Sequence, residues 1–242
     1  MRIHWFCIIL LSLCSSCSKH KDKKTLARTH FKMALLDLSE QSPLSKTHAK
    51  ALANINKAID LDEKAEYCAL KATILLEENQ LKESDIWFKR ALDIETDETI
   101  RSEIMNNYAC FLAQTGKQEE AKRTWERLLS GTSYQTPEVA FVNLGKMYMS
   151  EHKWDEAQRM FTKAANESPS YTDAHFYRGL TLYHLSQQKQ DDKKLASEAG
   201  EEIKVVLALE PTHSGANQLA QKLGIEIDFR HDDPWKEDFF EE

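Results

Sequence analysis

The sequence predicts an all-α chain built from repeated helix pairs. Glycine and proline are sparse, at seven and five of 242 residues, and 29% of the residues are charged, which is typical of helical proteins. No segment alternates polar and apolar residues as a strand would. A pattern of small and large side chains instead returns four times at intervals near 34 residues. Because one such pair cannot bury its apolar face alone, we expect the copies to stack into a single solenoid.

The clearest copy covers residues 138–169. Counted from Glu138 as position 1, conserved-type residues fall at positions 7, 8, 11, 20, 24, 27 and 32, namely Leu144, Gly145, Tyr148, Ala157, Phe161, Ala164 and Pro169. Small residues at positions 8 and 20 let two antiparallel helices approach closely, and large residues fill the space beside the crossing. This spacing is typical of the tetratricopeptide repeat, a helix pair that usually binds other proteins.

Three further copies start near Ala65, Ser102 and Thr172. Their small residues at position 8 are Ala72, Ala109 and Gly179, so that the four copies are spaced by 37, 36 and 34 residues. Gly116 is predicted to end a first helix as its C′ glycine. In the last copy an insertion from Gln187 to about Leu195 is expected to displace the second helix.

Helical spacing extends beyond the four copies. Residues 25–38 and 46–61 form a degenerate first pair, and residues 213–223 are predicted to cap the open end of the stack. The sequence therefore predicts a right-handed tetratricopeptide α-solenoid over residues 25–224, with about five helix pairs and a C-terminal capping helix.

The N-terminus has the features of a processing signal. Arg2 precedes an apolar run from Trp5 to Leu13, which is too short to span a bilayer as a helix. Ser15, Ser16 and Cys17 follow, and the segment Leu13–Cys17 resembles a bacterial lipobox. We therefore expect a signal peptide at residues 1–16, acylation of Cys17 with fatty acids such as palmitate, and a polar tether at residues 17–24. The alternative is an ordinary secretory signal with an incidental cysteine.

By resemblance to enterobacterial sorting, Ser18 after the acylated cysteine favours the outer membrane. The protein would then be a lipoprotein facing the periplasm, held by more than one acyl chain. A soluble periplasmic protein is the alternative.

The C-terminal tail, residues 225–242, is acidic and aromatic. It is predicted to be disordered, although its aromatic side chains could fold back onto the last helix or dock on a partner. The formal net charge of −7 and the absence of a dense basic face argue against nucleic-acid binding.

Motifs for chemistry are missing. The sequence contains no glycine-rich phosphate loop, no His-Glu-x-x-His and no Gly-x-Ser-x-Gly. His175 and His184 share a helix but not a face, so a metal site is not expected. Cys68 and Cys110 are interpreted as small apolar residues rather than a disulfide. We therefore predict no enzyme activity, no cofactor, no metal and no small-molecule substrate.

A partner-binding groove is implied by the tetratricopeptide resemblance. In that family the first helix of each repeat lines the groove at positions 2, 5, 6, 9, 12 and 13. Asn107 and Asn143 share position 6, where an amide can bond to a peptide backbone. Beside them an apolar strip is predicted to be exposed. The alternative is that a neighbouring helix, such as the acidic tail, covers this strip. The predicted groove residues are Asn106, Asn107, Val139, Val142, Asn143, Lys146, Met149, Phe176, Leu180 and Tyr183.

Two blocks resemble a specific group of repeat proteins. Residues 105–112 followed by Gly116, and residues 134–138 followed by Asn143-Leu144-Gly145, are similar to segments of the PilF/PilW/Tgl family of type IV pilus biogenesis proteins. The resemblance implies an outer-membrane lipoprotein with several tetratricopeptide repeats that acts as a pilotin, helping a pilus secretin insert and multimerise. It covers roughly residues 25–185.

Three functions remain open from the sequence. The first is a lipid-anchored, pilotin-like scaffold for a type IV pilus secretin. The second is a generic periplasmic tetratricopeptide scaffold in envelope or secretion-system assembly, and the third is a regulatory subunit of an envelope enzyme.

Overall fold

The computed structural model describes residues 4–39, 44–190 and 192–225, with side chains described from residue 22 onward except at 44 and 45. Within these ranges the regular structure consists of eleven α-helices, and the predicted all-α tetratricopeptide fold is confirmed. Cys17 lies in the first helix, but its side chain falls outside the described part. The predicted tail at 226–242 also lies outside it. The boundaries at residues 16 and 24 stay predictions.

The helices follow one another in consecutive pairs, and the last one stands alone as the predicted cap. Their bounds are α1 His4–Ser39, α2 Leu44–Leu61, α3 Ala65–Glu77, α4 Leu81–Ile94, α5 Glu98–Gln114, α6 Gln118–Ser130, α7 Pro137–Ser150, α8 Trp154–Glu167, α9 Thr172–Gln188, α10 Lys193–Leu209 and α11 Ser214–Leu223. None of the helices in the described residues has an apolar stretch long enough to cross a bilayer. Two compact units divide the chain: Met1–Gln135 contains α1 to α6, and Thr136–Glu242 contains α7 to α11.

Small residues at the helix crossings hold each pair together, as the sequence pattern predicts. In the second unit, a Cβ atom on Gly145 would lie 2.4 Å from Cε1 of Phe161, so α7 and α8 touch through glycine itself. In the first unit, Ser84 occupies the same place in α4 and its hydroxyl donates a 2.8 Å hydrogen bond to the carbonyl of Ala72. A serine there adds a directional bond to the close approach.

The turn inside each pair repeats with the same period. Asn79, Gly116 and His152 all have left-handed backbone, with φ of 59°, 85° and 58°. In each turn the residue that follows donates its N–H to a carbonyl of the preceding helix, as in Lys117 N to Leu112 O at 2.8 Å. This bond is the helix-ending Schellman arrangement, so the prediction for Gly116 is confirmed.

The insertion near residues 187–195 lengthens the last pair rather than displacing it. Helices α9 and α10 each have 17 residues, whereas α7 and α8 have 14. Asp192 caps α10 by accepting hydrogen bonds from the N–H groups of Lys194 and Leu195. The extra residues thus extend both helices by about one turn, and the cap restarts the chain in the correct direction.

The crossing at Gly145 predicts a large and local sensitivity to added volume. Gly145→Leu is expected to lower the free energy of unfolding by about 3 kcal/mol, because the side chain has to displace Phe161 from a fully buried position. Thermal unfolding followed by circular dichroism measures this. Gly131→Ala is the control, since the nearest atom to its new Cβ would be 3.5 Å away. Equal unfolding temperatures for the two variants would contradict the crossing model.

Candidate partner-binding surface

Position 5 of the first helix is a packing position in this protein, not a groove position. Asn106 on α5 is 6% exposed, and its side-chain oxygen accepts a 3.0 Å hydrogen bond from Nε1 of Trp125 on α6. The amide therefore satisfies a buried indole N–H, which would otherwise be costly. The expectation that Asn106 is available to a partner is corrected. Its neighbour Asn107, at position 6, is exposed.

Val142 occupies position 5 of α7 and is buried as well, at 1% exposure. It belongs to a core cluster with Phe161 of α8 and Ala174 of α9. The side chain at this position falls between neighbouring first helices, so α9 covers it. The predicted exposure of Val142 is wrong for this reason, and Met149 packs half-buried against the same cluster.

The apolar residues of α9 are covered by the C-terminal helix. Phe176, Leu180 and Tyr183 are half-buried against a cluster that includes Ala216 and Leu219 of α11. The Phe176 ring lies 4.6 Å from the ring of His213, which caps α11. The alternative reading, in which a neighbouring helix fills this part of the groove, therefore holds for these three residues. The covering helix is α11 rather than the tail.

A polar cluster remains accessible between α7 and α9. Lys146 Nζ lies 3.3 Å from Asp173 Oδ2 and 4.2 Å from the ring centroid of Tyr177. Lys146 and Asp173 are each about two-fifths exposed, and Asn143 lies one turn before Lys146 on the same helix. We call Asn143, Lys146, Asp173 and Tyr177 the α7–α9 polar cluster. Val139, at position 2 of α7, is half-buried on the same helix.

This cluster offers donors, acceptors and an aromatic face in one place. A half-exposed ion pair contributes at most about 1 kcal/mol, so an incoming polypeptide can replace it at little cost. The ammonium group and amide can bind main-chain carbonyls or a carboxylate, and Tyr177 offers a flat apolar contact. Sequence reasoning identified Asn143 and Lys146 but missed Asp173 and Tyr177 as their partners.

A buried ionic network joins α9 to α10. Glu202 is 8% exposed and accepts from His175 Nδ1 at 2.8 Å and Arg178 Nη2 at 2.7 Å. His175 Nε2 in turn lies 2.9 Å from the carbonyl of Pro169. His175 therefore serves helix packing, and among the described residues no cluster of three or more potential ligands could hold a metal ion.

His184 and the cysteines have structural surroundings too. The His184 ring stacks on Trp154 at 4.6 Å, and burial together with Lys222 lowers the pKa of His184. Cys68 and Cys110 are both free thiols. Burial raises the pKa of Cys68 to about 11, which leaves its thiol protonated and unreactive at neutral pH.

Comparisons with known proteins agree on the fold. A tetratricopeptide-repeat family model matches residues 65–98, which correspond to α3 and α4. The fold is similar to that of PilF from Pseudomonas aeruginosa, with 17% identity, a TM-score of 0.60 and coverage of 84% of this chain and 92% of that chain. The sequence comparison with curated proteins finds no match.

Two further solved structures are similar. PilW, described as a widely conserved type IV pilus biogenesis factor, has 18% identity and a TM-score of 0.59, covering 81% of this chain and 91% of that chain. A MamA fragment from Desulfovibrio magneticus has 16% identity and a TM-score of 0.55, covering 80% and 98%. The chain thus has the tetratricopeptide fold of PilF and PilW.

The burial of position 5 makes a testable distinction between neighbouring positions. Val142→Asp is expected to lower the free energy of unfolding by about 3 kcal/mol, because it removes apolar burial and places a carboxyl group in the core. Asn107→Asp, on an exposed position, is expected to change it by less than about 0.5 kcal/mol. Urea unfolding followed by circular dichroism compares them. A Val142→Asp protein as stable as the parent would show that this position faces solvent.

Proposed function

We propose that this protein is a non-enzymatic scaffold that binds a polypeptide through the α7–α9 polar cluster. The observation that carries the proposal is the position of Lys146, Asp173 and Tyr177: they lie on the first helices of two neighbouring tetratricopeptide repeats, beside side chains that α11 covers. Helical repeats of this kind present extended surfaces to other proteins. The polar character of the cluster suits main-chain and carboxylate groups of a partner segment.

We further propose that the protein is lipid-anchored in the outer membrane and acts as a pilotin for a type IV pilus secretin. Three observations support this finer role. The N-terminal segment resembles a lipobox, two sequence blocks resemble the PilF/PilW/Tgl family, and PilF and PilW share the fold along most of both chains.

One structural observation favours the generic alternative, a periplasmic scaffold with another client. The Asn-Asn-Tyr block is explained in part by packing, because Asn106 binds Trp125 and the Tyr108 hydroxyl donates to Asp85 at 2.8 Å. Side chains that hold neighbouring helices carry no information about the partner. The family-like block therefore supports the scaffold more strongly than it supports a particular client.

Acylation of Cys17 is tested by mass spectrometry of the mature N-terminus and by labelling with radioactive palmitate. The expected protein begins at an acylated Cys17 and fractionates with the outer membrane. Cys17→Ser should abolish the label, whereas Cys14→Ser, three residues earlier, should leave it. An unlabelled chain that still carries residues 1–16 would exclude the anchored role.

The partner is tested by affinity purification from detergent-solubilised envelopes of cells that express the full-length protein. The parent should capture a secretin, and Lys146→Glu with Tyr177→Ala should reduce the captured amount at least about tenfold, which corresponds to about 1.4 kcal/mol. Lys82→Glu, an exposed charge change on α4, is the control. Capture of a different assembly protein that depends on Lys146 would support the generic scaffold. Capture of a secretin that is indifferent to both variants would place the binding surface elsewhere.

A further inference from the structure

An open cleft in the first unit is lined by arginines and lies away from the α7–α9 polar cluster. It has a volume of about 370 Å³ and is formed by the end of α4, one face of α5 and the outer face of α6. Its floor is largely apolar, because Leu92, Met105 and Leu112 line it together with the ring of Tyr108. The α5 residues of this floor follow one another at helical spacing, so the floor is a continuous strip.

Three guanidinium groups surround this floor. Arg101 is fixed in place, since its Nη1 donates to the carbonyls of Leu92 at 2.6 Å and Glu95 at 3.0 Å at the end of α4. Arg127 is exposed and contacts Met105 Sδ at 3.6 Å. Arg123 is exposed and has no carboxylate partner in the part of the chain that the structure describes. Two guanidinium forks are therefore available to a ligand.

The pairing of other arginines makes this arrangement informative. Arg90 binds Glu63 through two nitrogens, and Arg178 binds Glu202 at 2.7 Å. In the cleft, by contrast, the one carboxylate among the lining residues is Glu120, which is exposed at the rim. A concentration of unpaired positive charge over an apolar floor stands out in a chain whose formal net charge is −7.

We propose that this cleft is a docking site for an acidic segment of a partner protein that carries aromatic side chains. Arginine binds carboxylates through two parallel hydrogen bonds and also stacks on aromatic rings, so Arg123 and Arg127 can serve both kinds of group. An apolar side chain of the segment would rest on Met105 and Leu112 while neighbouring carboxylates face the guanidinium groups. Nucleic acid fits less well, because the net negative charge of the chain repels a phosphate backbone.

The test uses the full-length protein and a fluorescein-labelled peptide of sequence Glu-Asp-Phe-Phe-Glu-Glu, read by fluorescence anisotropy. The chain's own residues 232–242, which lie outside the described part, have similar composition and could compete. All proteins in the assay therefore carry amides in place of the carboxylates at Asp232, Asp233, Glu237, Asp238, Glu241 and Glu242. This change leaves the cleft untouched.

Charge reversal in the cleft is the deciding variant. Arg123→Glu with Arg127→Glu should weaken peptide binding at least about tenfold and should create binding to Lys-Lys-Phe-Phe-Lys-Lys. Lys57→Glu with Lys82→Glu, the same charge change on exposed positions outside the cleft, should alter binding by less than about twofold. The gain of basic-peptide binding cannot arise from a misfolded variant.

The peptide controls separate the two components of the site. Gln-Asn-Phe-Phe-Gln-Gln tests the charges and Glu-Asp-Ala-Ala-Glu-Glu tests the apolar floor, and each should bind at least about tenfold more weakly than the acidic aromatic peptide. The proposal is overturned if the acidic aromatic peptide does not bind at millimolar concentration. It is also overturned if cleft reversal leaves binding unchanged, or if a single-stranded oligonucleotide binds the cleft more tightly than the peptide.

Discussion

Close contact at the helix crossings is the constraint on which each repeat depends. Phe161 fills the place that a side chain on Gly145 would need, and in the next pair Gly179 meets Ile203 and the backbone of Ala199 at little more than 3 Å. Two helices that touch through glycine or alanine can bury large neighbours on both sides of the contact. The period of the sequence is therefore a period of contacts, and the turns with left-handed backbone at Asn79, Gly116 and His152 keep the same interval.

This constraint explains how much could be predicted. The positions of Ala72, Ala109, Gly145 and Gly179 were sufficient to place the helix pairs, because the small residue and its large neighbours both leave a mark in the sequence. The left-handed turns at Asn79 and His152 were not foreseen, since neither residue is glycine and only Gly116 carries the usual signal. Helix lengths in the last pair also escaped prediction, because an insertion can extend helices as easily as it can interrupt them.

The predicted surface was less accurate than the fold, and the failures have one cause. A periodic pattern tells which face a residue occupies but not how near the next first helix comes. Val142 and Asn106 both occupy position 5 and are covered by that proximity. For Asn106 a signal was available: Trp125 stands where the other repeats have Phe88 and Phe161, and its buried N–H requires an acceptor. Lys146 and Asn143 were placed correctly on a half-exposed part of their helix, while the role of Asp173 and Tyr177 depends on a contact across helices that spacing alone does not give.

Helix α11 determines where the array stops. Its residues Ala216 and Leu219 lie against Phe176, Leu180 and Tyr183 and its end is closed by the left-handed Gly224. A chain shortened to residue 210 would bare three large aromatic and aliphatic side chains at once, turning a finished edge into an adhesive one. Conversely, an engineer who wished to add repeats would have to insert them before Ser214, so that the same helix still closes the longer stack.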